Sequence, residues 1–155
     1  MLGNFRGKPI DLQCSQAVLP EFPEMLFGVT TTEGAKISYF NASYYINKKH
    51  LPSNTVTNFI AGYGTQLKQL CQSYNINQNI VVRDNKQGEK LIESHFQWLF
   101  LSFVEPDFLA YTHERIQEMY HNGFCISDWY IEQAYNFRIG GVEKKTNDER
   151  AGRRE

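Results

Sequence analysis

The sequence predicts an α+β domain: two β-hairpins with a helix-turn-helix-like pair between them and a closing two-helix unit. Three observations carry this. Residues 25–40 and 80–93 are rich in β-branched and aromatic side chains and each is interrupted by a turn containing glycine. Residues 54–74 place Val56, Phe59, Ile60, Leu67, Leu70 and Cys71 at helical spacing on either side of Gly62-Tyr63-Gly64. The densest apolar run, from Leu91 to Phe108, is broken only at Glu105-Pro106 and ends in a helix stopped at Asn122-Gly123.

Taken in order, residues 1–24 carry three prolines and two glycines among scattered apolar residues, which predicts an extended segment packed along the domain surface, with a short strand or helical turn around 12–19. The first hairpin, 25–40, turns at Thr32-Glu33-Gly34, where glycine tolerates positive φ. Asn41 is placed to cap a helix over 42–50 that ends in Lys48, Lys49 and His50 before Leu51-Pro52. Ser53 or Asn54 caps the next helix, 54–61. The two glycines at 62 and 64 each cost about 1 kcal/mol relative to alanine in a helix, so a break is expected before a helix over 65–74. A second hairpin follows, with strands 80–83 and 90–93 and a turn at 84–88. Proline disfavours helix in the residue before it but fits the first turn of a new one. Two helices, 94–104 and 106–122, should therefore meet at a tight corner apolar enough on both sides to be core. A short helix within 124–139, capped by Ser127, and a disordered tail over 140–155 complete the chain. The main domain is expected to span 25–123.

With 155 residues, 41% of them hydrophobic and 21% charged, the composition is that of one globular domain. No apolar run approaches the about 20 residues needed to cross a bilayer, so a soluble, cytoplasmic protein is expected. Cys14, Cys71 and Cys125 are odd in number and far apart, which suggests reduced thiols and no CxxC zinc knuckle. The net charge of −1 hides an asymmetry. Lys36, Lys48, Lys49, Lys68, Arg83, Lys86 and Lys90 face only two acids between positions 36 and 90, whereas positions 91–135 hold seven acids and one base. A basic half beside an acidic one points to a polyanion-binding face.

No enzymatic signature stands out. His113 and His121 lie eight apart on a helix, which is not the i, i+4 zinc pair, and with Cys125 they make a poor ligand set. Ser43, Ser53 and Ser102 lack a nucleophile-elbow context. The chain is expected not to be an enzyme and to hold no metal or cofactor.

The order of two helices followed by a hairpin is that of a winged helix-turn-helix, and the residues add a resemblance. Phe40-Asn41-Ala42-Ser43 at the end of a hairpin resembles the entry step of the KilA-N domain, a DNA-binding module of phages, bacteria and large DNA viruses related to the APSES domains. Asn58-Phe59-Ile60 is similar to that family's central helix step, and Gly88, Leu91-Ile92, Phe96, Phe100, Phe103 and Glu105-Pro106-Asp107-Phe108 to its closing pattern. The chain departs from the family in carrying Leu91 and Glu93-Ser94 where tryptophan and a His-Pro pair are common. The resemblance implies binding of duplex DNA in a regulatory role, in a bacterial host cytoplasm if the protein is phage-encoded. Phosphate contacts would come from Lys48, Lys49, Lys68, Arg83 and Lys86, and base contacts from Asn54, Asn58 and His50. The alternative on the same fold is a protein-interaction module, of antirepressor, inhibitor or anti-defence type. It would hold a host or phage protein, or a second copy, through the acidic aromatic half around Tyr111, Glu114, Glu118, Tyr130 and Glu132.

Overall fold

Alternation of apolar residues in the two hairpins commits them to one antiparallel sheet. In the structure, a computed structural model that describes residues 4–128, 131–132 and 135–136, that sheet has five strands in the order β1-β2-β3-β5-β4. They are β1 (Gln16–Ala17), β2 (Leu26–Thr32), β3 (Ala35–Asn41), β4 (Val82–Asp84) and β5 (Lys90–Glu93). The helices are α1 (Ala42–Lys48), α2 (Thr55–Gly62), α3 (Gly64–Tyr74), α4 (Gln97–Val104) and α5 (Pro106–Asn122). The chain divides into two units, Met1–Pro106 and Asp107–Glu155.

The first hairpin closes through Glu33 and Gly34, both at positive φ (53° and 82°), a two-residue turn whose twist suits the flanking strands. The second hairpin joins it through β3 and β5, with Phe40 opposite Ile92 and Tyr39 opposite Glu93. Period-2 alternation then gives the sheet two covered faces. One carries Phe27, Phe40, Ile92 and Val82, which lie opposite one another in register. Phe40 meets Phe100 of α4 at 5.3 Å between ring centroids, and Phe100 in turn meets Tyr45 of α1 and Phe59 of α2 edge-on. The other face carries Tyr39 and Leu91, which cluster with Cys14 under Ile10, Leu12, Leu26 and Ile37.

The N-terminal segment therefore has a larger part than a surface cover. Phe5 is buried, and residues 5–7 run parallel to β4: the Val82 amide donates to the Phe5 carbonyl (2.9 Å) and the Gly7 amide to the Val82 carbonyl (2.8 Å). Gly7 is required here, because a Cβ would stand 1.8 Å from the Asn79 carbonyl oxygen.

Three boundaries differ from the sequence expectation by two residues or more. The strand expected at 80–83 is Val82–Asp84, because the Asn77 side chain accepts from the Asn79 amide and starts a 3-10 turn over Gln78–Ile80. The helix expected from Ser94 begins at Gln97, after a 3-10 turn in which the Glu93 carboxylate accepts from the His95 amide. The helix expected to reach His50 ends at Lys48, and His50 turns the chain at φ 55°.

Both sides of the Pro106 corner were expected to bury apolar surface. Phe100 and Leu101 of α4 are buried, whereas α5 has no buried residue. Arg115 instead gathers Glu118 (3.1 Å) and Asp128 (3.2 Å) along α5 and just beyond it. Of the short helix expected within 124–139, Asp128, Ile131, Glu132, Tyr135 and Asn136 have helical backbone. The remainder of that helix and the tail over 140–155 lie outside the described residues.

Candidate functional site

The first turn of α1 is where the two hairpins are tied together. The Asn41 side-chain oxygen accepts from the Tyr44 amide (2.9 Å), so the expected cap is formed. Its side-chain amide donates to Glu89 Oε2 (2.8 Å), and the Lys90 amide donates to Ser43 Oγ (2.8 Å). Asn85, buried in the β4–β5 turn, accepts from the Gln87 and Glu89 amides and donates to Glu89 Oε1. Asn41 and Ser43 thereby hold the hairpin turn against the start of α1. Between α1, the following loop and β5 lies a cleft of about 280 Å³, where Ser43, Asn47, Ser53 and Lys90 line the wall together with the aliphatic Ile46, Leu51 and Val56.

The next element, α2, buries Thr55, Val56, Phe59 and Ile60 and exposes Thr57, Asn58, Ala61 and Gly62, with Asn54 exposed at its cap position. The Asn54 side chain makes no cap hydrogen bond. The Thr55 hydroxyl instead donates to the Pro52 carbonyl and closes the turn. Positions 54, 57, 58 and 61 form one helical stripe that is polar, small towards its C-terminal end, and free of charge. It belongs to a longer tract: between Glu33 and Asp84 the chain has no carboxylate at all. The surfaces of α1, α2 and α3 consequently carry no negative charge.

The residues expected to contact DNA separate into two groups. Asn54, Asn58, His50, Lys48 and Lys68 are exposed. Lys48 lies over the Tyr44 ring, and Lys68, on α3, makes no ion pair among the described residues. The others carry internal contacts. Lys49 approaches Glu24 (3.9 Å) and Glu105 (4.0 Å) and lies over the Tyr45 ring. Lys86 pairs with Asp11 at 3.1 Å, although both are exposed and such a pair yields readily to a stronger anion. Arg83 is half-buried under the N-terminal segment, where its Nε donates to the Lys8 carbonyl at 3.0 Å.

That last contact brings in cations outside the basic tract of the sequence. Arg6 and Lys8 are both exposed on the segment that runs along β4, and Arg6 Nη2 donates to Thr57 Oγ1 on the α2 stripe (3.1 Å). The signal in the sequence was the pair of basic residues in the N-terminal segment itself, FRGK, set apart from the main cluster by 27 residues without a base. A second cleft, about 520 Å³, opens beside this segment and is lined by carboxamides, among them Asn4, Gln72, Asn75 and Gln78.

Burial raises the pKa of several titratable groups of the interior. Burial, with Glu89 nearby, pushes the Cys14 thiol up to about 11, and burial together with Glu93 raises Cys71. Burial and the hydrogen bond that the Tyr45 hydroxyl donates to Glu105 raise the phenol far above its usual value. Glu93 is buried, with Oε1 2.7 Å from His95 Nδ1 and Oε2 accepting from the His95 amide, while the Tyr74 ring packs on the imidazole at 4.9 Å. Among the described residues no hydroxyl or thiol hydrogen-bonds to His95, and no group of three or more His, Cys, Asp or Glu side chains is placed to hold a metal ion. No helix among them is long and apolar enough to cross a membrane.

Comparison with protein-family models, with curated proteins and with solved structures finds no match.

Proposed function

We propose that the first unit binds duplex DNA, with α2 entering the major groove and the β4–β5 hairpin acting as the wing beside it. One observation carries this reading: the exposed stripe of α2 presents Asn54, Thr57 and Asn58 within a carboxylate-free tract of three helices. A major groove admits an α-helix, and asparagine can pair bidentately with adenine there. Ala61 and Gly62 at the far end of the stripe let the helix backbone approach closely. Lys48 on α1, Lys68 on α3, Lys86 and Lys90 on the second hairpin and Lys8 on the N-terminal segment would serve as phosphate contacts, which supply affinity and orientation without sequence information. The order of helices and hairpin is that of a winged helix, and the resemblance of residues 40–43 and 88–108 to the KilA-N domain supports the same reading, with a regulatory role in a phage or mobile element.

The experiment is a titration of labelled duplex DNA at several salt concentrations. Four or five phosphate contacts give a log–log slope of roughly −4, at about −0.9 per phosphate. In a duplex library, the double variant Asn54→Ala, Asn58→Ala should lose sequence preference while keeping that slope. Absence of binding at low salt overturns the proposal.

A second reading has its own observation. α5 leaves Leu109, Ile116, Met119 and Tyr120 exposed, the last by 80%, in a helix without a buried residue. Apolar and aromatic side chains exposed in this way suit a protein partner, whether a host or phage protein or a second copy. Capture of a defined partner that is lost in Ile116→Asp and unaffected by the α2 double variant would favour it.

A further inference from the structure

The side chain of Arg6 is held at both ends. Its backbone is fixed by the parallel bridge to Val82, by the burial of Phe5 on one side, and by the close approach of Gly7 to the Asn79 carbonyl on the other. Its guanidinium is fixed by the bond from Nη2 to Thr57 Oγ1, at the centre of the α2 stripe between Asn54 and Asn58. A guanidinium has five N–H groups in a rigid fork, so this bond leaves four for a ligand on an exposed side chain. Arg83 contributes indirectly, since its Nε holds the carbonyl of Lys8, two residues further on.

We infer that Arg6 is a preset phosphate clamp of the DNA-binding face, which engages one backbone phosphate at the rim of the groove and sets the register of α2 within it. The inference rests on the duplex-DNA reading and adds a residue outside the basic tract that suggested it. Arginine grips phosphate bidentately where lysine acts as a point charge. A phosphate contact carries no sequence information and fixes where the base-reading side chains fall. A clamp already bonded to the reading helix does both with little further ordering on binding.

The test compares variants on a duplex that the full chain binds, between about 50 and 200 mM salt. Arg6→Ala should weaken binding about five- to tenfold and make the log–log slope shallower by about 0.9, equally for all sequences. Arg6→Lys should keep the slope and lose affinity. Thr57→Val keeps the charge and frees the guanidinium, so it should leave the slope unchanged, weaken binding about two- to threefold and blur the preference read by Asn54 and Asn58. Arg6 is exposed, and the melting curves of its variants should overlay that of the wild type. If wild-type protein binds with a salt-dependent slope and Arg6→Ala matches it in slope and affinity, the clamp is wrong while the DNA reading stands. If Arg6→Ala fails to fold, Thr57→Val decides: affinity and preference equal to wild type overturn the clamp. Wild-type protein that binds no duplex removes both.

Discussion

Helices α2 and α5 contain similar numbers of large apolar side chains per turn and use them in opposite ways. α2, eight residues long, buries four side chains, Phe59 among them against Phe100, and turns Thr57, Asn58, Ala61 and Gly62 outward, none of them charged. α5, seventeen residues long, buries none, and holds its charges together through Arg115 while leaving Ile116, Met119 and Tyr120 exposed. One helix is anchored by the core and offers a polar surface. The other ties charges together through Arg115, with one i, i+3 pair to Glu118, and offers an apolar one. The buried and polar sides of α2 are therefore opposite each other, whereas α5 keeps an uncovered apolar face.

The largest expected effect breaks the anchored side. Phe59 is fully buried and meets Phe100 edge-on at 5.5 Å, with Tyr63 and Phe103 close by. Phe59→Ala should cost about 3–5 kcal/mol in a urea titration. Gly7→Ala comes next, because the new Cβ has no room beside the Asn79 carbonyl. Displacing the segment that carries Arg6 should cost about 1–3 kcal/mol, the range for overpacking, and weaken DNA binding in parallel.

The thiols sharpen the same contrast between a closed and an open region. Cys14 and Cys71 are buried, and Cys125, beyond α5, is exposed. At pH 8, iodoacetamide should modify Cys125 readily and the other two only at the rate of opening, as peptide mass mapping would reveal. The Cys14 thiol titrates at about 11 in the folded protein against 9.0 as its ordinary value, so between those limits the unfolded chain binds fewer protons. Stability should accordingly be full below pH 9 and fall as pH rises towards 11, by an amount on the order of 2 kcal/mol. A Cys14→Ala variant should lack that part of the alkaline slope. The smallest effect belongs to α5: Ile116→Asp should change the melting free energy by no more than about 0.5 kcal/mol.

Local chemistry made much of the fold legible. Glu33-Gly34, Asn41, the Gly62–Gly64 break and Pro106 each act within a few residues, and each does what its side chain or backbone requires. Asn41 and Ser43 were readable as a cap and a motif, but their bonds to the second hairpin, 47 residues on in the case of Ser43, follow only from how the strands pair. The same holds for the cations. Nothing near Lys49 in the sequence announces Glu24 or Glu105, and nothing near Arg6 announces Thr57. The aromatic and aliphatic residues of α5 match those of α4 in type. Periodicity reveals a stripe and is silent on whether a neighbour covers it.

The bond from Arg83 to the Lys8 carbonyl joins groups 75 residues apart. On a ribosome adding about 5–20 residues per second, the N-terminal segment would be made roughly 4–15 seconds before β4 exists to receive it. Until then Phe5 has no pocket, the underside of the sheet stays uncovered, and Arg6 has no helix to lie across. The segment over residues 5–8 thus docks only after the chain as far as β4 has been made, so an early stretch of the unit waits on a later one for its place.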